Sequence, residues 1–569
     1  MTPKTFLENF GHLSGTPGAV KRLRALILQL AVQGKLVPQD PNDEPASVLL
    51  KKIAAEKARL VREGKIRAPA PLPPIKLKEV PFELPEGWEW SKMGTLSIVE
   101  RGGSPRPIND YLTDDPNGLN WIKIGDTEMG GKFIVSAKER IRNDGLKKTR
   151  MVYPGDFLLT NSMSFGRPYI TLIEGCIHDG WLRIHPPSEL DKDYLYITLS
   201  SSYVVDQFKD SAAGGVVQNL NSEKVRHVII SLPPLAEQHR IVARVDQLMA
   251  LCDQLEKQEA QTKETHQALT QSTLHALTTA DGPHAFQTAW HRIRDHFDPL
   301  FITLESVTQL RQTILQLAVM GKLVPQDPND EPASVLLKKI AAEKAKLVRE
   351  GKIKRGETLP PVDPEDAPFE LPRGWEWCRL GMLGNVKGGG TPSKQRPEYW
   401  EGDIPWISPK DMKVDFILDS IDHINDAAVD DSSVKMIEKG ALLMVVRGMI
   451  LDHSFPTAIT IVDATINQDM KALELFIDSM QRFVLLVSKG SRDRFLALVQ
   501  RSSHGTCRIE SDRLFSFIIP LPPIAEQHRI VARVDQLMAL LDRLEKQLKQ
   551  SQAEGARLME AVVHHLSAA

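Results

Sequence analysis

Apolar residues recur every three or four positions along two long segments of the chain. In an α-helix this spacing places them on one face, and a sustained seven-residue repeat is typical of coiled coils. The two stripes are Ile241, Val245, Leu248, Cys252 and Leu255, and Ile530, Val534, Leu537, Leu541, Leu544 and Leu548. One helix facing the core of a globular domain would show the same stripe, but here a second, matching stripe is available to pair with.

Nearly the same sequence opens both stripes. It reads Leu232-Pro-Pro-Leu-Ala-Glu-Gln238 in the first copy and Leu521-Pro-Pro-Ile-Ala-Glu-Gln527 in the second. Prolines suit the start of a helix, and an acidic side chain such as that of Glu237 complements its positive N-terminus. We therefore expect a helix to begin near Leu235, and we interpret the chain as a tandem duplication.

A second repeated block precedes each of these segments. Residues 23–66 match residues 310–353 at 40 of 44 positions. In the first copy an apolar helix should stop at Gly34, and the turn that begins at Asp40 should cap a second helix that stops at Gly64. The pattern predicts a helical hairpin in each copy.

The segments between these repeats have equal size but different sequences. Pro81-Phe-Glu-Leu-Pro-Glu-Gly-Trp-Glu-Trp90 and its counterpart at 368–377 open stretches of 138 residues (91–228) and 140 residues (378–517). Shared landmarks include Gly102-Gly-Ser-Pro105 and Gly389-Gly-Thr-Pro392. Short apolar runs at 169–173, 441–446 and 458–462 predict strands, and 193–208 and 479–499 predict helices. Each stretch is predicted to be a mixed α/β domain of the same fold.

These patterns divide the chain into eight predicted segments. They are an N-terminal helical hairpin (1–66), a Pro-rich linker with a Trp motif (67–90), a first α/β domain (91–230), a central coiled-coil helix (231–280), a helical connector with the second hairpin (281–355), a second linker with its Trp motif (356–377), a second α/β domain (378–519) and a C-terminal coiled-coil helix (520–569).

Composition excludes several classes of protein. The 569 residues are 42% hydrophobic and 25% charged, with a formal net charge of −2, as in soluble globular proteins. The four cysteines form no Cys-x-x-Cys pair, which argues against a zinc site and fits a reducing cytoplasm. Without a signal-like start or a run of ~18 apolar residues, we expect a cytoplasmic protein that neither spans nor binds a membrane.

The internal comparison also indicates a function. Nearly identical helical parts can present one surface twice, related by an approximate two-fold axis, and so recruit two copies of one partner. Two domains of one fold but different sequence should instead recognise two different things. A two-part, asymmetric target fits this arrangement.

Taken together, Leu-Pro-Pro-Leu-Ala-Glu-Gln before a long helix, Leu-Pro-x-Gly-Trp before a variable domain and the duplicated order resemble the specificity subunits of type I restriction-modification systems. This resemblance implies two target-recognition domains of the same α/β fold, separated by long helices that form an antiparallel coiled coil, in a pseudo-two-fold tandem duplication. It also implies that each domain reads half of a bipartite site in double-stranded DNA. The implied partners are two modification (methyltransferase) subunits and ATP-dependent restriction subunits.

The resemblance further implies a chain that is not itself an enzyme. Consistently, we find no Gly-x-x-x-x-Gly-Lys-Ser/Thr loop, no Gly-x-Gly-x-x-Gly turn and no Asn/Asp-Pro-Pro-Tyr/Phe motif in the sequence. We expect no cofactor or metal on this chain, with S-adenosylmethionine, ATP and Mg carried by the partner subunits. Two alternatives are a coiled-coil scaffold with no DNA role and a self-contained restriction or methyltransferase enzyme.

Neither variable domain is basic. Residues 91–228 contain 17 Lys+Arg and 17 Asp+Glu, and residues 378–517 contain 17 and 19. Phosphate attraction must then come from local clusters or from partners. Candidate DNA-binding residues, with base contact and phosphate positioning both open, are Ser104, Arg106, Lys123, Asn161, Ser164, Arg167, Gln218, Asn219, Thr391, Lys394, Lys410, Arg447, His504 and Arg508.

Partner contacts are expected in the repeated helical parts. The candidates are Leu49, Ile53, Leu336, Ile340, Glu237, His239, Arg240, Glu526, His528 and Arg529.

Overall fold

A computed structural model of the chain describes residues 18–128, 130–161, 165–212, 220–354, 359–501 and 505–568. The chain divides into two compact units, each of which holds one copy of the duplicated elements. Unit 1 comprises residues 1–263 and 552–569, and unit 2 comprises residues 264–551.

The first half of the chain alternates helices with short strands. Its elements are α1 (Ala19–Val32), α2 (Ala46–Arg62), β1 (Glu89–Lys92), α3 (Met93–Leu96), β2 (Ile98–Arg101), β3 (Leu119–Ile122), β4 (Phe133–Ile134), β5 (Glu139–Ile141), β6 (Arg150–Val152), β7 (Phe157–Thr160), β8 (Pro168–Thr171), β9 (Gly175–Ile177), β10 (Trp181–His185), α4 (Lys192–Ser200), α5 (Ser202–Ala212), α6 (Ser222–His227), β11 (Ile229–Leu232) and α7 (Leu235–Thr278).

The second half follows a similar but not identical order after two connecting helices. Its elements are α8 (Gly282–Asp295), α9 (Phe297–Leu300), α10 (Leu304–Val319), α11 (Ala333–Arg349), β12 (Glu376–Arg379), β13 (Gly384–Gly388), β14 (Ile404–Ile407), β15 (Phe416–Ile417), β16 (Asp422–Ile424), α12 (Asp426–Asp430), β17 (Leu442–Val445), β18 (Thr457–Thr460), β19 (Thr465–Ile466), β20 (Met470–Leu475), α13 (Gln481–Gly490), α14 (Arg492–Leu496), β21 (Gln500–Arg501), β22 (Cys507–Arg508), α15 (Ser511–Phe515), β23 (Ile518–Leu521) and α16 (Ile524–Ala568).

The two α/β domains share the topology of their main sheet, whereas their smaller sheets differ in the number of strands. A five-stranded sheet has the order β2-β10-β7-β8-β4 in the first domain and β13-β20-β17-β18-β15 in the second. Beside it lies a smaller sheet, β5-β3-β9-β6 or β16-β14-β19. A two-stranded ribbon, β1-β11 or β12-β23, closes each domain where the chain enters and leaves it. The prediction of two mixed α/β domains of one fold is confirmed.

Helix boundaries follow the sequence signals closely. Helix α7 begins at Leu235, as predicted, and α1 ends just before Gly34, whose φ of +69° is the left-handed conformation that glycine adopts readily. The segment predicted as one helix over 479–499 is instead α13 and α14, which meet at Ser491, and the segment predicted as one helix over 193–208 is also two helices. Ser201 separates them, because its backbone is extended and its hydroxyl accepts the N–H of Val204 at 3.4 Å.

In unit 1 the helices α1 and α2 pack in different places. Helix α2 contributes Leu49 and Ile53 to the core of the α/β domain. Helix α1 packs with α4 and with the first half of α7, and the Arg24 guanidinium reaches Asp253 of α7 at 2.6 Å. The predicted hairpin therefore has no core of its own in this unit.

Each unit contains parts of both long helices, as an antiparallel pairing of the two requires. In unit 1 the end of α16, at Met559, is buried in the same cluster as Ile241 and Cys252 in the first half of α7. In unit 2 the end of α7, at Leu277, shares a cluster with the first half of α16. Each unit thus combines the beginning of one long helix with the end of the other.

A buried tryptophan–glutamate hydrogen bond fixes the start of each long helix. The Trp88 indole N–H donates to Glu237 Oε2 at 2.9 Å, and the Gln39 amide donates to Glu237 Oε1 at 3.1 Å. Glu237 is 1% exposed. One side chain therefore ties together the turn before α2, the Trp motif and α7.

Unit 2 repeats this network residue for residue. Trp375 donates to Glu526 at 3.0 Å, and Gln326 donates to the other carboxylate oxygen at 3.1 Å. Burial raises the pKa of both Glu237 and Glu526, while the tryptophan and glutamine donors oppose that rise.

All four cysteines are free and buried. No helix within the described ranges combines the length and the apolar character needed to cross a bilayer.

Removing the tryptophan donor should weaken unit 1. Trp88→Phe keeps an aromatic ring but leaves a buried carboxylate oxygen without its N–H partner, which costs about 1–3 kcal/mol of unfolding free energy. Urea unfolding measures this loss, with Trp90→Phe as the control because Trp90 is only half-buried. An equal loss in both variants would contradict a special role for the Trp88 bond.

The buried glutamates should make stability depend on pH. Since their folded pKa lies above the unfolded value, their contribution is complete below about pH 4.5 and is lost as pH rises through the folded pKa. The double variant E237Q/E526Q should therefore gain stability relative to the parent between pH 4 and pH 7, as measured by urea unfolding across that range. A difference that stays constant with pH would count against this expectation.

Candidate nucleic-acid interface

In the first domain, four polar side chains meet where β2, β7 and β9 end. Asp179 lies at the centre, and its Oδ1 accepts a hydrogen bond from the Ser104 hydroxyl at 2.8 Å. Its Oδ2 lies 3.2 Å from the Arg106 guanidinium, and its backbone oxygen accepts from the Asn161 amide at 2.6 Å. The predicted residues Ser104, Arg106 and Asn161 thus lie around Asp179, which was not predicted.

The hydrogen bonds of Asp179 keep it ionised. The Ser104 hydroxyl, its own backbone N–H and the Arg106 guanidinium lower the pKa of its carboxyl group. Arg106 is itself 81% exposed at the side chain. The site therefore offers both a fixed acceptor and an exposed cation to solvent.

The glycines of the first domain's landmark allow its loop to approach this centre. A Cβ atom on Gly102 would lie 2.1 Å from the His178 carbonyl oxygen. The equivalent Cβ on Gly389 in the second domain would lie 1.9 Å from the Asn467 carbonyl oxygen. Both distances are impossible contacts, so the Gly-Gly sequence is required to seat the following Ser104 or Thr391.

The second domain builds a corresponding loop cluster with different side chains. The Thr391 hydroxyl hydrogen-bonds the Gln468 side chain. Arg447 and Arg508 face each other across an isolated antiparallel β-bridge, and the Arg447 guanidinium lies 3.9 Å from Asp469. Three predicted residues, Thr391, Arg447 and Arg508, therefore belong to one cluster.

Other predicted DNA-binding residues lie around these clusters or outside the described residues. Lys123 forms an ion pair with Glu139, and the Arg167 backbone N–H donates to Thr160. Lys394 and Lys410 are exposed. Predictions that fall outside the described residues are Ser164, Gln218, Asn219 and His504.

Four predicted partner-contact residues are part of the chain's own core. Leu49, Ile53, Leu336 and Ile340 are between 1% and 3% exposed. Substitution of these residues by aspartate would unfold the unit before it tested any partner. The outward faces of the same helices are the surfaces left free for contact.

The remaining partner candidates lie at the start of α7 and α16. Glu237 and Glu526 are buried in the networks described above. Arg240 pairs with Asp43 at 2.6 Å, and Arg529 pairs with Asp330 at the same distance. The remaining two side chains, His239 and His528, are exposed.

Comparison with known proteins matches both domains to one family. Residues 85–264 and 372–551 each match the type I restriction modification DNA specificity domain. The chain is 35% identical to the Escherichia coli type I restriction enzyme EcoAI specificity subunit, across 95% of this chain and 93% of that protein. It is 34% identical to the EcoEI specificity subunit of the same organism, with the same two coverages.

A solved structure is also similar, at lower identity. The HsdS subunit from Thermoanaerobacter tengcongensis is 19% identical, with 86% of this chain and 99% of that chain covered and a TM-score of 0.41. The two domain matches cover more than half of the chain, and the EcoAI and EcoEI relatives are covered almost completely. This chain therefore belongs to the family of type I restriction enzyme specificity subunits.

Proposed function

We propose that this chain is the non-catalytic, DNA-reading subunit of a type I restriction-modification complex, and that each α/β domain reads one half of an asymmetric, two-part site in double-stranded DNA. The observation that carries this proposal is the pair of loop clusters. They occupy the same place on the same fold, yet they present Asp179 and Arg106 in one domain and Gln468, Arg447 and Arg508 in the other.

The polar residues of the clusters suit the reading of base edges. Arginine and asparagine are among the side chains that form bidentate hydrogen bonds with guanine and adenine in the major groove. The exposed side chains of Arg106, Arg447 and Arg508 are proposed for this role. Asn161 is only 2% exposed and instead supports the backbone of Asp179. The other described lysines and arginines among the candidate DNA-binding residues are proposed to contact phosphates. They are Lys123, Arg167, Lys394 and Lys410.

Charge balance supports a chain that works within a larger complex. The domains are neutral or slightly acidic, and many of their cations already pair with carboxylates, as Arg106 does with Asp179. Non-specific DNA affinity depends on unpaired cations that displace counterions from phosphates. We infer that partner subunits supply most of the phosphate attraction and that this chain supplies selectivity.

The duplicated helices are proposed to hold two identical modification subunits. Their exposed faces carry nearly the same residues in both copies, including His239 and His528 next to the buried glutamates. In this proposal the modification subunits bind S-adenosylmethionine and methylate adenine, and the restriction subunits use ATP and Mg. This chain positions them on DNA.

Exchange of one domain should change one half-site. The graft points at Trp90 and Ile229 lie on the paired strands β1 and β11, so an inserted domain of the same family can be closed by the same ribbon. Replacing residues 91–228 with the corresponding domain of a relative should alter one half of the methylated motif and leave the other half intact. Sequencing of N6-methyladenine in a host that carries the chimera measures this. If both halves change together, the domains do not read DNA separately.

The exposed histidines test the number of partners. His239→Ala should weaken one of two modification subunits by about 1 kcal/mol or more, roughly five-fold in affinity, if it lies at the contact. His528→Ala should weaken the other, and the double variant should weaken both. Native mass spectrometry of the assembled complex counts the subunits, with Asp114→Ala as a control at an exposed site outside the duplicated helices. A single modification subunit on the unaltered chain would contradict the proposal.

A further inference from the structure

Strand register identifies one matched position in the two loop clusters. Strand β3 pairs with β9 so that Trp121 faces Cys176, and β14 pairs with β19 so that Trp406 faces Thr465. The two tryptophans are shared landmarks, so Cys176 corresponds to Thr465. Counting forward three residues from each makes Asp179 equivalent to Gln468.

Two further contacts give the same equivalence. The backbone N–H of Gly103 donates to Ile177 at 3.2 Å, and that of Gly390 donates to Ile466 at 2.9 Å. On the far side, Trp181 faces Thr160 and Met470 faces Val445, each at the corresponding place in the five-stranded sheet. The match between Asp179 and Gln468 therefore does not depend on sequence similarity at that position.

A tight turn places both residues at an apex. In the first domain the Gly180 N–H donates to the His178 ring nitrogen Nδ1 at 2.7 Å. In the second, the Asp469 N–H donates to Asn467 Oδ1 at 3.0 Å. In both turns a side chain accepts the backbone N–H two residues on, as in an Asx turn. The Asp179 side chain is 41% exposed, and Gln468 is also exposed.

A hydroxyl group from the glycine-rich loop holds each apex side chain. Ser104 donates to Asp179, and Thr391 contacts Gln468. A carboxylate offers about four acceptor positions, and Ser104 with Arg106 uses two of them. The amide of Gln468 keeps its two N–H donors and a second oxygen lone pair. Both side chains are fixed in place and still have hydrogen-bonding capacity.

We propose that Asp179 and Gln468 are matched base-reading positions, one for each half-site. This inference rests on the proposed function and specifies its chemistry. Asp179 would accept a hydrogen bond from the exocyclic amino group of a base, as carboxylates do with cytosine N4. Gln468 would bind adenine through both its N6 amino group and N7.

The positive charge of Arg106 allows the Asp179 carboxylate to lie close to DNA. An unpaired anion there would be repelled by the phosphates. The guanidinium of Arg106 lies 3.2 Å from Asp179 and offsets that repulsion. Gln468 is neutral and needs no such partner, which accounts for the absence of an equivalent pairing among its described contacts.

The test uses the chain assembled with its modification subunits. Binding is measured to a DNA library in which every position of both half-sites is varied. D179N should reduce the preference for an amino-bearing base at one position of the first half-site by about 10- to 100-fold, because its amide presents donors as well as an acceptor. Q468E should shift one position of the second half-site from adenine towards cytosine by a similar factor. Each variant should leave the other half-site unchanged.

Two positioning variants distinguish base reading from structural support. Ser104→Ala and Thr391→Val remove the hydroxyl groups and should broaden preference at the same two base pairs without changing the preferred base. If D179N binds no DNA while its unfolding midpoint is unchanged, its base preference cannot be measured, and the test of base reading then rests on Q468E. Unaltered discrimination by Q468E would then overturn the inference.

The outcomes separate this inference from the proposed function. An unaltered chain that shows no sequence preference in the complex would overturn the proposed function itself. An unaltered chain that discriminates, with D179N and Q468E discriminating identically to it, would overturn the base-reading assignment alone.

Discussion

The structure depends most on one buried carboxylate at the start of each long helix. Glu237 and its counterpart Glu526 each accept hydrogen bonds from one tryptophan and one glutamine, although burial opposes their ionisation. Breaking such a bond is costly because the remaining charge has no water to replace the lost donor. This penalty forces the turn, the Trp motif and the long helix to come together in one geometry. It therefore fixes the Trp motif, which leads into each recognition domain, against the start of a long helix.

Local sequence signals predicted the parts of the fold that local physics controls. Helix α7 begins where prolines and Glu237 indicated, and glycines end α1 and α2. The packing of α1 and α2 depends on tertiary contacts instead, and the break within 193–208 depends on one local cap. The Ser201 cap and the separate burial of α1 and α2 involve partners that periodicity does not reveal.

The same limit applies to the candidate site. Ser104, Arg106 and Thr391 were accessible from sequence because they follow a shared Gly-Gly landmark. Asp179 and Gln468 were missed because the sequences around them differ between the two copies, and only the pairing of β9 and β19 with their neighbours aligns them. A signal did exist, since each lies two residues after a buried isoleucine, Ile177 or Ile466, that ends a short apolar strand.

Unit 1 combines residues from the first half of the sequence with residues from its last eighteen positions, which affects folding during synthesis. Met559 is fully buried in the same cluster as Ile241 and Cys252 of α7, although more than three hundred residues separate them in the chain. A ribosome that has finished the first domain has therefore not yet produced every residue that covers its apolar surface. That surface stays exposed to solvent or bound by a chaperone until residues 552–568 have been translated. Premature termination within α16 would thus damage the half of the protein that was synthesised first.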